Sequence, residues 1–329
     1  MSRVVVVTGA SGGVGRATAR AFAERGDAVS LLARGEAGLE GAARDVEVAG
    51  GSALSIAVDV ADADAVEAAA DRVEEELGPI DVWVNNAMAT VFAPVHEVEA
   101  DEYRRATEVT YLGGVWGTMA ALRKMRPRNA GAIVQVGSAL AYRAIPLQAP
   151  YCGAKHALRG FTDSLRTELI HDGSDVRLTM VHLPALNTPQ FSWGRAKMPN
   201  HPRPVPPIYQ PEVAARAIVW ASERDRREVW VGWPVYKTIL GNKLAPGFAD
   251  RYLAENGYEA QQTDEPVDPD REDNLFDPAD DETDHGAHGA FDEVARQWSP
   301  MLQATTHRGW GLAGAAALGA AVGWWLLGD

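Results

Sequence analysis

The sequence predicts an α/β protein built on a doubly wound, mostly parallel sheet of seven strands. Short β-branched apolar runs alternate with longer helical stretches from Arg3 to about Val231, the pattern of strands joined by crossover helices. Near-continuous apolar runs at 4–7 and 82–84 are typical of strands covered on both faces. A glycine cluster follows the first of these runs. The predicted strands cover residues 4–8, 29–33, 53–58, 82–85, 132–136, 177–183 and 228–231.

The glycine cluster at 8–15, Thr-Gly-Ala-Ser-Gly-Gly-Val-Gly, runs into a predicted helix at 16–25. Gly9, Gly13 and Gly15 permit a tight turn and let the backbone approach a pyrophosphate, whose charge free amides and the positive helix end attract. A glycine-rich turn alone is weak support for nucleotide binding. Its place after the first strand of a βα series favours a dinucleotide site, and with it a Rossmann-type sheet.

Later motifs make the pattern specific. The glycine motif resembles the cofactor motif of the short-chain dehydrogenase/reductase family, and Asn85-Asn86-Ala87-Met88 is similar to that family's Asn-Asn-Ala-Gly segment. Ser138, Tyr151-Cys152-Gly153-Ala154-Lys155 and Pro184 follow in the family's order and spacing. The resemblance covers residues 3 to about 240. It implies an oxidoreductase whose cofactor contacts are Gly9, Ser11, Gly13, Val14, Gly15, Asp59, Val60, Asn86, Ala87, Tyr151, Lys155, Pro184 and Thr188.

Ser138, Tyr151 and Lys155 are the predicted catalytic groups. Hydride transfer to or from a carbonyl carbon requires a proton on the oxygen, and therefore a positioned acid/base. A tyrosine with a free pKa of about 10 needs a nearby ammonium to stabilise its phenolate. Tyr151 and Lys155 are four residues apart in a helical stretch, hence on one face. Ser138 would hydrogen-bond the same substrate oxygen. Seen alone, Ser138 would be a strand-end cap and Lys155 a solvated residue.

Two residues depart from the family pattern. Thr110 stands where the family usually has an asparagine that supports a proton-relay water, and its hydroxyl lacks the paired donor and acceptor of an amide. Thr110 is therefore a fourth catalytic candidate with an altered role. Met88 replaces a glycine and places an apolar side chain near the expected nicotinamide.

The end of the second predicted strand bears on cofactor choice. NAD-using members usually carry an acidic residue there, which binds the ribose 2′-hydroxyl and repels a 2′-phosphate. This chain has Ala33 followed by Arg34, whose guanidinium suits a phosphate. We therefore predict NADP(H). The alternative is a surface arginine with NAD(H) as cofactor.

The stretch 184–211 contains eight prolines, which oppose regular secondary structure. A long loop at the carboxyl edge of such a sheet is where a substrate would be covered, so we interpret it as a substrate lid. Its apolar side chains favour a bulky or lipophilic alcohol or carbonyl, or serve the lid's own packing. They are Phe191, Trp193, Met198, Ile208 and Tyr209.

The catalytic domain is predicted to span residues 1–258, followed by an acidic linker or loosely docked tail at 259–308. The formal net charge is -14, and residues 259–293 hold 14 acidic side chains against Arg271 alone. The remainder is close to neutral, without a basic footprint for nucleic acid. His285 and His288 in this tail are interpreted as a solvated turn, so no metal is predicted.

Residues 309–328 carry no charge, and twenty helical residues span roughly 30 Å, the thickness of a bilayer core. Trp310, Trp324 and Trp325 sit near its ends, as interfacial aromatics do. The stretch predicts a C-terminal transmembrane helix; the alternative is a helix packed on the enzyme or on a second subunit. The single Cys152 and the lack of a secretory signal indicate a cytoplasmic catalytic domain, which we expect to form a homo-oligomer.

Two function classes remain open at this point. The first is an active reductase or alcohol dehydrogenase, on the intact Ser138, Tyr151 and Lys155. The second is an NADP(H)-binding scaffold with little turnover, on Thr110, Met88 and the acidic tail. An isomerase or dehydratase would use the same fold.

Overall fold

In a computed structural model, which describes residues 2–268 and 270–307, seven parallel strands form one sheet. Numbered along the chain, they lie in the order β3-β2-β1-β4-β5-β6-β7, the arrangement of a Rossmann-type fold. Each predicted strand is present, with bounds shifted by at most two residues. The bounds are β1 Val4–Thr8, β2 Ala28–Ala33, β3 Ser52–Ala57, β4 Ile80–Asn85, β5 Ala132–Ser138, β6 Arg177–Leu183 and β7 Glu228–Trp230.

The helices connect successive strands and cover both faces of the sheet. Around the site, a π-helical turn, Glu108–Leu112, joins α4 to α5. The bounds are α1 Gly13–Ala23, α2 Glu36–Val48, α3 Ala63–Leu77, α4 Ala100–Thr107, α5 Gly113–Met125, α6 Ala149–His171, α7 Gln190–Trp193, α8 Pro211–Ser222, α9 Trp233–Leu244, α10 Pro246–Asn256 and α11 Pro300–Thr306.

The strand pleat divides the core into two layers. Val5 and Val7 of β1 point to one face, where they join Phe22 of α1 and residues of α2 and α8. Val6 points to the other face, with Met125 of α5 and residues of α3 and α6. Each of these side chains is fully buried. The near-continuous apolar character of β1 therefore reflects burial on both sides.

The proline-rich stretch 184–211 is more regular than its composition predicts. It contains the short helix α7, and Arg195–Ala196 pairs with Val91–Phe92 as a two-stranded sheet. Asn200–Pro202 pairs with the strand Gln262–Pro266. The expectation of no regular structure was wrong in these places, because the helix and the strands occupy the gaps between prolines or end at one.

Residues 270–296, here called the C-terminal segment, pack against the domain. Leu275 is fully buried among residues of the second core layer. Arg195 binds the Asp273 carboxylate, and the Asn274 amide donates to the Trp193 carbonyl. The sequence predicts a linker or loosely docked tail here. The structure instead lays the segment along the carboxyl edge of the sheet and over the predicted lid.

No helix among residues 2–268 and 270–307 is long and apolar enough to cross a membrane. The predicted transmembrane helix at 309–328 lies outside the described residues.

Candidate active site

The turn between β1 and α1 is held by close backbone contacts that need glycine. Gly9 has φ +64° and Gly13 has φ +54°, conformations that residues with a Cβ rarely adopt. A Cβ on Gly15 would lie 2.0 Å from the Gly9 carbonyl oxygen. The start of α1 is therefore packed directly on the turn, as a nucleotide-binding loop requires.

A cleft runs along this edge of the sheet. Its lining includes Gly9, Ser11, Gly13 and Val14 at the loop, Asp59 and Val60 beyond β3, Asn86 and Ala87 beyond β4, and Thr188 from the proline-rich stretch. These predicted cofactor residues therefore share one cavity. Ala33, Arg34, Met88, Val109, Trp193, Asn274 and Asp280 also line it.

Asp59, which follows β3, is anchored by two hydrogen bonds. Its carboxylate accepts from the Arg105 guanidinium at 2.5 Å and from the Ala61 amide at 3.0 Å. Burial alone would raise its pKa, but these hydrogen bonds outweigh burial and hold the pKa of Asp59 below its usual value. Asp59 is thus a fixed anion in the cleft.

Asn86 ties the glycine loop to β4. Its side-chain amide donates to the carbonyls of Thr8 and Gly9, at 3.0 and 3.2 Å. The Thr8 hydroxyl accepts from the Asn86 and Ala87 amides, at 3.0 and 3.1 Å. Met88 follows and lines the cleft. These contacts set the spacing between the two loops that would hold the cofactor.

Ser138 ends β5, where its hydroxyl accepts from the Leu140 amide at 3.1 Å. Its backbone carbonyl accepts from Nδ1 of His182 at 3.0 Å. Burial lowers the pKa of His182 to about 4, even though Glu228 lies 3.7 Å away and opposes this shift. A neutral histidine donor therefore fixes the backbone that presents Ser138.

Tyr151 and Lys155 lie one turn apart on α6. The Lys155 ammonium is 5.6 Å from the centroid of the Tyr151 ring and donates to the Val136 carbonyl at 2.7 Å. Burial lowers the pKa of Lys155 to about 8. Burial raises the pKa of Tyr151, and hydrogen bonding with Ser138 opposes that rise. The three predicted catalytic residues are therefore neighbours, although none of them is among the lining residues of the cleft.

Thr110 lies in the π-helical turn and is 1% exposed. Its hydroxyl donates to the Ala89 carbonyl and accepts from the Ala89 amide, both at 2.9 Å. From the sequence, a threonine here lacks the paired donor and acceptor of an amide. Here one hydroxyl fills both roles toward one residue, so Thr110 anchors the loop after β4.

The Arg34 guanidinium is engaged by the C-terminal segment. It donates to the carbonyls of Asn274, Phe276 and Asp277. Burial and the nearby Arg105 cation lower its pKa from the usual arginine value. The loop is covered as well, since the Gly13 amide donates to the Gly286 carbonyl at 3.2 Å. The Arg34 guanidinium and the Gly13 amide, both expected to donate to phosphates, thus donate to carbonyls of this segment.

Several smaller expectations have structural counterparts. Pro184 directly follows β6, and Thr188 of the same stretch packs beside Gly13. Burial raises the pKa of the Cys152 thiol to about 11, as expected of a packing residue. The outcome differs for His288, whose two ring nitrogens contact Glu212 and Asp292 and are therefore not simply solvated.

The short chain dehydrogenase family model matches residues 3–197, more than half of the chain. The chain belongs to this family. An uncharacterized oxidoreductase, YxnA of Bacillus subtilis, is 33% identical over 279 residues, which cover 84% of this chain and 78% of that protein. A 3-dehydrosphinganine reductase of Danio rerio is 32% identical, covering 65% and 67%. The alcohol dehydrogenase of Thermococcus sibiricus, solved with 5-hydroxy-NADP, is 29% identical with a TM-score of 0.60, covering 70% of this chain and 95% of its own.

Sequence reasoning missed two features of this short-chain dehydrogenase. His182 lies within an apolar strand, and its contact with the Ser138 carbonyl depends on strand pairing, for which the sequence carries no local signal. Asp280 lines the cleft although it is one of 14 acidic residues in a polar stretch. Only the fold shows that Asp280, among these acidic residues, faces the cleft.

Proposed function

We propose that this short-chain dehydrogenase transfers hydride between NADP(H) and an alcohol or carbonyl substrate. The observation that carries the proposal is the placement of Lys155, buried to 2% exposure with its ammonium beside the Tyr151 ring. Burying an ammonium costs desolvation free energy, and groups desolvated in this way cluster at functional sites. Stabilising a phenolate on the neighbouring tyrosine is a use for such an ammonium.

The bound nicotinamide would supply or accept the hydride. In the reducing direction, Tyr151 donates its phenolic proton to the substrate oxygen, while the Ser138 hydroxyl hydrogen-bonds that oxygen and holds it. The Lys155 ammonium favours the phenolate that results. His182 fixes the Ser138 backbone, and Thr110 fixes the loop after β4. In the oxidising direction the same proton returns to Tyr151.

The residues present fit a dinucleotide. A Cβ on Gly9 would lie 2.8 Å from the Ala87 Cα, so the loop and β4 meet closely and leave backbone facing the cleft. Ala33 in place of an acid, followed by Arg34, supports NADP(H) over NAD(H). The archaeal alcohol dehydrogenase, solved with 5-hydroxy-NADP, supports the same choice.

A bulky or lipophilic substrate is the second part of the proposal. Met88, Val109 and Trp193 give the cleft an apolar lining: Met88 belongs to the loop after β4, and Trp193 lies beside Gly12 of the glycine loop. The other lid residues serve packing: Phe191 and Met198 form a small buried cluster with Phe92 and Leu147, and Tyr209 joins the main core. The substrate argument therefore rests on Met88, Val109 and Trp193.

The alternative is a nucleotide-binding scaffold with little turnover. Its support is that the Thr110 hydroxyl is fully used by Ala89 and that Arg34 and the Gly13 amide are engaged by the C-terminal segment. Both functions require nucleotide binding. Only an enzyme requires the Tyr151 hydroxyl.

The test is Tyr151→Phe, with the exposed Tyr252→Phe on α10 as control. Turnover of a panel of apolar aldehydes, ketones and alcohols should fall about 10²–10⁴-fold in Tyr151→Phe, the usual contribution of a general acid. Nucleotide affinity should be retained in both variants, and NADPH should bind the wild type more tightly than NADH. Turnover unaffected by Tyr151→Phe would refute the assignment, whereas binding without turnover would favour the scaffold.

A further inference from the structure

The C-terminal segment places a carboxylate inside the cofactor cleft at the end of β2. Asp280 is 7% exposed and lines the cleft beside Ser11, Ala33 and Arg34. A Cβ on Gly35 would lie 2.0 Å from its Oδ1, and a Cβ on Gly38 would lie 2.4 Å from its Oδ2. The carboxylate therefore sits against the backbone that directly follows β2, where a Rossmann-type site binds the adenosine ribose.

The same part of the segment covers the start of α2. The amides of Ala37 and Gly38 donate to the carbonyls of Asp281 and Asp280, at 3.1 and 3.0 Å. The Glu36 amide donates to the Asp281 carboxylate at 3.3 Å. These amides have no partner within the helix, and at an uncovered helix start they would attract a phosphate.

The docking surface on α2 is a face without side chains. Gly35, Gly38 and Gly41 recur every three residues, and a Cβ on Gly41 would lie 2.0 Å from the Asp284 carboxylate. Asp284 also pairs with the buried Arg16, which holds Asp45 as well. Gly35 and Gly38 thus contact Asp280, and Gly41 contacts Asp284 four residues later in the segment. These contacts together fix the position of Asp280.

We propose that Asp280 is a cofactor-specificity residue of this chain. Its carboxylate accepts a hydrogen bond from the ribose 2′-hydroxyl and opposes a 2′-phosphate, in the place where β2 itself offers only Ala33. Arg34 acts in the opposite sense although its guanidinium also binds carbonyls of the same segment, and under the proposed function it outweighs Asp280 in the wild type. Asp280 therefore narrows the NADPH preference without reversing it. The inference rests on the proposed function, since it presumes a nicotinamide dinucleotide in the cleft.

The consequence is a measurable shift in the ratio of two affinities. Asp280→Asn removes the negative charge and keeps the shape of the side chain, so NADPH should bind about tenfold more tightly and NADH several-fold more weakly, the usual effect of one charged hydrogen bond. Glu282→Gln makes the same charge change two residues away on an exposed side chain and should leave both affinities unchanged.

Dissociation constants for NADPH and NADH are measured by titration on the full-length wild type, Asp280→Asn and Glu282→Gln, with thermal melts to establish equal folding. A rise in the NADPH preference in Asp280→Asn alone supports the proposal. An unchanged ratio, or an equal rise in Glu282→Gln, overturns it and leaves the proposed function standing. If neither cofactor binds the wild type, both proposals fall together.

Amide hydrogen exchange of residues 280–286 gives a second readout: NADPH should increase exchange relative to NADH, and equal protection by both contradicts the proposal.

Discussion

Thr110 and Ala89 exchange two hydrogen bonds through a single hydroxyl, which both donates to the Ala89 carbonyl and accepts from its amide. The contact joins the π-helical turn between α4 and α5 to the loop that follows β4. That loop lines the cleft with Met88 and Ala89, so the Thr110 side chain fixes part of the cleft wall.

Replacing Thr110 by valine should destabilise the fold. The substitution keeps the shape of the side chain but leaves two buried backbone groups of Ala89 without a partner, at a cost of about 2–4 kcal/mol in unfolding free energy. Thr110→Ser retains the hydroxyl and should lose less than half of that amount. Urea denaturation followed by circular dichroism measures both. Equal stability of the valine and serine variants would show that the hydroxyl contributes little.

Carbonyl reduction should decline above about pH 8. Burial lowers the pKa of Lys155 to about 8, so the ammonium that favours the Tyr151 phenolate is present below that pH and is lost above it. Tyr151 remains protonated throughout this window because burial raises its pKa. The rate should approach a tenfold fall per pH unit on the alkaline side. A pH profile of kcat measures this, and Lys155→Arg should remove the alkaline decline, since arginine stays charged. A rate that rises through pH 9 in the wild type would contradict the assignment.

Leu275 should contribute to the stability of the catalytic domain despite its place in an acidic stretch. It is fully buried in the core layer that holds α3, α5 and α6, so Leu275→Ala should lower the unfolding free energy by about 2–5 kcal/mol. The neighbouring Phe276 is 44% exposed, and Phe276→Ala should cost under about 1 kcal/mol. Denaturant titration of both variants measures the difference. Equal values for the two would mean that residues 270–296 act as a linker in solution.

The apolar stretch 309–328 predicts membrane association of the full-length chain. When membranes from cells that express this chain are pelleted, detergent should extract the protein and high salt should not. Salt weakens electrostatic binding but does not remove an apolar span from a bilayer. A chain shortened at residue 307 should remain in the supernatant. Recovery of the full-length protein in the supernatant, while a control membrane protein pellets, would end the anchor hypothesis in favour of packing on protein.

The sheet could be predicted from the sequence because each strand carries its own signal. A strand buried on both faces must be apolar throughout, and the runs beginning at Val4 and Val82 show this locally. The Ser138, Tyr151 and Lys155 grouping was also within reach, because α6 brings residues four apart to one face and β5 ends at the serine. Their roles stay predictions.

The C-terminal segment lay beyond sequence reasoning for a physical reason. Composition describes average burial, and a run rich in Asp, Glu, Pro and Gly has too little apolar surface to predict packing. Its contacts instead depend on the domain residues that it meets. Its carbonyls accept from Arg34, its Asp284 pairs with an arginine, and its Asp280 packs against glycines that have no side chain. From the sequence alone, Gly38 and Gly41 only lower the helix propensity of α2; their role in contacting the segment is visible only in the fold.

Arg34 and the Phe276 carbonyl that it binds are 242 residues apart in sequence. Translation at about 5–20 residues per second separates their synthesis by roughly 10–50 s. During that interval the glycine loop and the start of α2 exist without the segment that later covers them. The amides of Gly13, Ala37 and Gly38 are therefore made well before the carbonyls of residues 280–286 that accept their hydrogen bonds, and they stay uncovered until those residues are synthesised.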